Sequence, residues 1–176
     1  MKGIGEDGDL DSGQMRLYHS VIDSEMNLIA AGHTSKPIAG PVSGSSDMLI
    51  MKHGPSGELI WLKQFGSDGS DNIMDIDLDS DDNIYVTGFT SPPNSSDTSG
   101  TFEGITYTKK QYGHTRVIAK YNKDGEKQWV KIIEDTVDDA GISPGLQGGG
   151  GQNLSVVGNA LYVSMASAVD GKKKVV

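Results

Sequence analysis

The chain has 176 residues, with 24 acidic against 15 basic side chains, a formal net charge of −9, and 24 glycines, about twice the usual glycine share. The acid excess argues against a nucleic-acid or anionic-membrane surface, which needs clustered Lys and Arg. The absence of cysteine excludes a disulfide scaffold, a thiolate metal site and a Cys nucleophile.

Residues 1–14 read as an acidic, Gly-rich leading segment without the apolar stretch of a signal peptide. Within it, Asp7, Asp9 and Asp11 alternate in a D-x-D-x-D-x-G run ending at Gly13. Hard oxygen ligands at such spacing can wrap Ca²⁺. An EF-hand would need a carboxylate where Tyr18 stands, so that motif fails, and a solvated loop is the plainer reading. Gly3-Ile4-Gly5-Glu6-Asp7-Gly8 fits a dinucleotide fingerprint by letters alone, but Glu6 and Asp7 would repel a pyrophosphate.

From Met15 onward, short apolar or alternating runs are bounded by turn residues. Met48-Leu49-Ile50-Met51, Leu59-Ile60-Trp61-Leu62, Ile84-Tyr85-Val86-Thr87 and Val117-Ile118-Ala119 are such runs. Pro55-Ser56-Gly57, Ser80-Asp81-Asp82-Asn83 and Lys123-Asp124-Gly125 punctuate them. No window sustains an amphipathic helical face between caps. The pattern predicts an all-β chain of short antiparallel strands.

An internal repeat organises these strands. Lys52, Gly57, Trp61 and Lys63 return as Lys120, Gly125, Trp129 and Lys131, each 68 residues later. Ser24 to Ser35 returns as Ser80 to Ser91, 56 residues later, so Asn27 matches Asn83 and Gly32 matches Gly88. A third occurrence is Gly158-Asn159-Ala160-Leu161-Tyr162-Val163-Ser164. Unequal offsets mean a fixed strand core with inserted loops. One unit spans 15–65; a second spans 73–133 and carries a long loop, 92–113. Residues 134–152 form a Gly-rich connector, and 153–176 give the first half of a further unit. In the second unit the strands fall at about 73–79, 83–90, 115–121 and 127–133.

The run Asp71-Asn72-Ile73-Met74-Asp75-Ile76-Asp77-Leu78-Asp79, continuing to Asn83-Ile84-Tyr85-Val86-Thr87-Gly88-Phe89-Thr90, resembles the bacterial SBBP β-propeller repeat. So do Lys120-Tyr121-Asn122-Lys123-Asp124-Gly125 with Trp129-Val130-Lys131, and Trp61-Leu62-Lys63-Gln64-Phe65-Gly66. The resemblance covers roughly residues 15 to 166. It implies a partial β-propeller of four-stranded antiparallel blades, about two and a half in this chain, where closed propellers have four to eight. Because Lys173 to Val176 align with the start of a third strand, the expectation is an excerpt of a larger chain, or a ring completed by copies or partners. Family members are usually exported or cell-surface proteins, and the repeat implies no catalytic residues.

Each chemical candidate has a plainer counterpart. Asp75, Asp77 and Asp79 alternate onto one strand face, where a wet face is the alternative to a bound cation. The histidines, His19, His33, His53 and His114, lack zinc-ligand spacing; His33 stands where Phe89 recurs and His53 where Tyr121 does. Trp61 and Trp129 are expected to pack between neighbouring blades, with Tyr85, Tyr162 and Gly88 as further structural positions. No nucleophile elbow or defined carboxylate pair can be assigned, and no cofactor is implied beyond the Ca²⁺ candidate at Asp7, Asp9 and Asp11. The expected function is a non-catalytic scaffold or binding module of an exported or cell-surface bacterial protein, presenting loops such as 92–113 to a protein or glycan partner. Alternatives are part of a propeller enzyme whose site draws on blades outside this chain, and a structural spacer or filament subunit. In either case the remaining blades of a larger chain count among the partners; nucleic acid and a membrane span do not.

Overall fold

A computed structural model describes residues 15–94, 96–108, 114–133, 153–158, 160–165 and 174–175. The described residues form strands and turns without a helix, and so contain no helix long and apolar enough to cross a membrane. The first sheet holds β1 (Met15–Ile22), β2 (Leu28–Thr34), β3 (Asp47–His53) and β4 (Leu59–Phe65), paired antiparallel in chain order. The second holds β5 (Ser70–Leu78), β6 (Ile84–Ser91), β9 (Thr115–Tyr121) and β10 (Lys127–Ile133) in the order β10-β9-β6-β5. Between β6 and β9 the chain forms a separate hairpin of β7 (Ser99–Phe102) and β8 (Ile105–Thr108). A third sheet runs β11 (Asn153–Val157), β12 (Ala160–Met165) and β13 (Lys174–Val175).

Period-2 alternation gives each sheet two faces, and the sheets stack through them. Ile29, Ala31, Met48, Ile50 and Phe65 of the first sheet bury against Ile73, Ile76, Ile84, Val86, Val117, Ala119 and Tyr121 of the second. On the opposite face of the second sheet, Ile118 meets Leu154 and Val163 of the third, with Tyr85, Trp129 and Leu161 around them. On the opposite face of the first sheet, Ala30, Leu49 and Met51 are covered by Met15, Ile38 and Leu62. Neither four-stranded sheet can bury both faces alone, so stacking creates the core.

The repeat extends to backbone irregularities. β1 is bulged between Leu17 and His19 and β5 between Ile73 and Asp75, 56 residues apart. Each bulge lies opposite a glycine, Gly32 or Gly88. A Cβ on Gly32 would collide with the carbonyl oxygen of Arg16, and one on Gly88 with that of Asn72. The close approach that the bulge needs therefore admits only glycine.

The loop expected at 92–113 is different from that expectation. Its described part contains the β7–β8 hairpin, and Phe102 and Tyr107 are among the largest fully buried side chains. Two aromatic residues among Ser, Thr and Gly are enough to fasten one face of a short hairpin to the core.

Candidate functional site

Three polar arrangements follow from this stacking. The first recurs with the repeat. In the β1–β2 turn, Asp23 accepts hydrogen bonds from Glu25 N (3.0 Å), Asn27 N (2.8 Å) and Asn27 Nδ2 (2.9 Å). Lys52 Nζ lies 2.8 Å from its Oδ2, with both side chains nearly inaccessible to solvent. In the β5–β6 turn Asp79 holds Asn83 and Asp81 N in the same way, with Lys120 Nζ at 3.2 Å. Burial alone would raise both carboxyls; hydrogen bonds from the Lys and Asn partners outweigh it and hold each at about 2. Lys52 Nζ also donates to Lys123 O of the neighbouring sheet at 3.3 Å, as does Trp61 Nε1 at 3.3 Å.

The second arrangement explains the alternating aspartates. Asp75 accepts Ile76 N on Oδ1 (2.9 Å) and Leu154 N on Oδ2 (2.7 Å). Asp77 accepts Leu78 N on Oδ1 (2.9 Å) and Val156 N on Oδ2 (2.7 Å). Each carboxylate thus clamps an outward N–H of β5 and one of β11, in place of a backbone ladder between the two edges. The face expected to be wet is half-buried and structural. Along the same edge, His19 Nδ1 lies 3.5 Å from Asp75 Oδ1, and His33 Nδ1 lies 3.0 Å from Asn72 Oδ1. Both histidines join the first sheet to the second, a role that scattered sequence positions did not reveal.

The third arrangement is the β7–β8 hairpin. Its tip, Glu103-Gly104, has positive φ at both residues, 49° and 83°, the conformation of a type I′ turn matched to strand twist. Lys127 Nζ holds Glu103 Oε2 at 2.7 Å. Phe102 packs edge-on to Phe65 at 6.3 Å between ring centroids. The Tyr107 hydroxyl meets Thr90 Oγ1 at 3.2 Å, and burial raises its pKa. Beneath it, Asp71 accepts Ser67 N (2.6 Å) and Ser67 Oγ (2.9 Å). Burial pushes Asp71 up to about 6, against the hydrogen bonds from Ser67 and Thr90 and with the repulsion of Asp47 adding to it. Asp47 is equally buried, accepting Ser43 N and Gln64 Nε2. The hairpin's other face points outward: Ser99 pairs with Thr108 and Thr101 with Thr106, all four exposed. A flat hydroxyl-bearing surface is thereby held on a rigid base.

The remaining expected positions fall as follows. Trp61 packs on the core between the first two sheets, beside Gly125. Trp129 lies edge-on to Tyr85 at 6.1 Å, next to the third sheet. Tyr162 is 47% exposed on the outward face of that sheet. Asp7, Asp9 and Asp11 lie outside the described residues. Among the described residues no group of three or more His, Asp or Glu side chains is placed to hold a metal ion.

Two stacked four-stranded antiparallel sheets, with a third sheet packed on the far face of the second, are propeller-type repeats. Residues 60–91 match the SBBP family, described as a beta-propeller repeat. The matched stretch crosses a sheet boundary, running from β4 through the Gly66–Gly69 linker into β5 and β6. No curated protein matches the chain.

Proposed function

We propose that this chain is a non-catalytic propeller module of an exported or cell-surface bacterial protein, and that the outward face of the β7–β8 hairpin binds a protein or glycan partner. One observation carries the reading: Phe102, Tyr107 and the Glu103–Lys127 pair fix the hairpin, while Ser99, Thr101, Thr106 and Thr108 stand outward on it. Pre-fixed hydroxyls suit sugar hydroxyls and peptide edges, because little ordering entropy is lost on binding. The aspartates with the most conspicuous spacing, Asp75 and Asp77, are engaged in holding sheets together, which supports a scaffold role for that edge. The net charge of −9 disfavours polyanionic partners.

The test is a glycan array together with immobilised cell-surface proteins, probed with the chain and with Thr101→Lys/Thr106→Lys. Binding should fall at least about tenfold in the variant, at unchanged thermal midpoint. Failure to bind any probe, or equal binding by the variant, would overturn the reading.

A further inference from the structure

The first and third sheets each turn one face away from the second. On the first sheet, Ile22, Leu28, His53 and Leu59 form one cross-strand row. Ile22, Leu28 and Leu59 are 53%, 40% and 45% exposed, and Leu17 on the same face is 38% exposed. By the repeat offsets this row corresponds to Leu78, Ile84, Tyr121 and Lys127 of the second sheet. There Ile84 and Tyr121 are buried, at 0% and 3% exposure, in the interface with the first sheet. The inserted connections correspond as well. Ile38, from the β2–β3 connection, covers the centre of the outward face of the first sheet. Phe102 and Tyr107, from the β6–β9 connection, lie in the established interface. The outward face of the first sheet is therefore of the same kind as the face by which the second sheet docks.

The third sheet offers the complement. Leu154 pairs with Val163 and faces the second sheet, so Ser155 and Tyr162, and Val157 and Ala160, face away. Tyr162 and Val157 are 47% and 63% exposed. Tyr162 is the repeat counterpart of Tyr85, which in the second sheet packs in the cluster facing the third. One molecule thus carries a receiving face at one end of its stack and a docking face at the other.

We propose that copies of this chain associate head to tail, the outward face of the first sheet of one copy seating on the outward face of the third sheet of another. Such an interface is heterologous, so a pair of copies retains one free face of each kind, the first-sheet face on one copy and the third-sheet face on the other. Burying the partly exposed Ile22, Leu28 and Leu59 as Ile84 is buried supplies the apolar drive.

Sedimentation of the full chain up to about 100 µM, the range of weak transient contacts, provides the test. The wild type should gain mass with concentration. Leu28→Lys/Leu59→Lys and Val157→Lys/Tyr162→Lys should each stay monomeric alone at the wild-type thermal midpoint. Mixed, they should form a one-to-one pair, because each retains the face that the other has lost. If the lysine substitutions lower the midpoint, Leu28→Ser/Leu59→Ser and Val157→Ser/Tyr162→Ser provide the same comparison. A wild type that remains monomeric throughout, assembly that survives either double substitution, or a mixture of folded variants that does not pair would overturn the proposal.

Discussion

Replacing Lys52 with Met keeps the length of the side chain and removes the ammonium that meets Asp23 at 2.8 Å. Asp23 and Lys52 are each about 5% exposed, so the carboxylate is left with its Asn27 and Glu25 donors but no counter-charge. Breaking a buried ion pair by deleting one partner costs about 3–5 kcal/mol. The same change at Lys120 leaves Asp79 in a wetter site, where the Lys and Asp side chains are 21% and 11% exposed. Its cost should be about 1–2 kcal/mol, nearer that of a single charged hydrogen bond. Urea unfolding followed by tryptophan fluorescence measures both, and Trp61 donates to the same Lys123 carbonyl as Lys52. With a slope of about 1–3 kcal/mol/M, Lys52→Met should move the midpoint by at least roughly 1 M. A Lys120→Met variant that loses as much as Lys52→Met would refute the claim that burial sets the difference.

Asp71 gives an unusual pH dependence: burial holds its folded pKa at about 6, above the ordinary carboxyl value of 3.8. Its contribution is complete well below the ordinary carboxyl value and is lost as pH rises through about 6, so stability should fall by about 2 kcal/mol from pH 4.5 to 8. Asp23 and Asp79 titrate near 2, outside that window. Asp71→Asn should flatten the profile measured by chemical unfolding, and a wild-type profile that rises across the same range would contradict the assignment. At the seam between sheets, Asp75→Ala/Asp77→Ala removes the acceptors of Leu154 N and Val156 N. Amide exchange at those two residues should accelerate at least about tenfold, corresponding to roughly 1.4 kcal/mol of lost protection, while Ile29 and Val86 amides hold; unchanged exchange would remove the clamp from the account.

The strands most legible in the sequence were those whose apolar residues alternate or run together. β9 and β10 lie at 115–121 and 127–133, where the pattern placed them. β5 begins at Ser70, three residues before the first apolar residue Ile73. Polar Ser70-Asp71-Asn72 continue the strand, because Asp71 is satisfied internally by Ser67 and Asn72 meets His33. The β7–β8 hairpin was hidden because its strands are four residues each and only Phe102 and Tyr107 signal burial among hydroxyl side chains. The alternation of Asp75 and Asp77 was plain, but their acceptor role depends on β11, 79 residues further on. Local spacing cannot show which distant edge a carboxylate will meet.

The correspondence of Lys52 with Lys120, Gly57 with Gly125 and Trp61 with Trp129 has a genetic consequence. At each pair both residues occupy the same place in their sheet, Lys52 opposite Trp61 and Lys120 opposite Trp129. An unequal crossover joining the coding sequence at any of these pairs would fuse the front of one sheet to the back of the other. The hybrid would retain its turns, its bulge and its cross-strand partners. The gene can therefore lengthen or shorten by a whole blade at several joints without passing through a sheet that has lost its register.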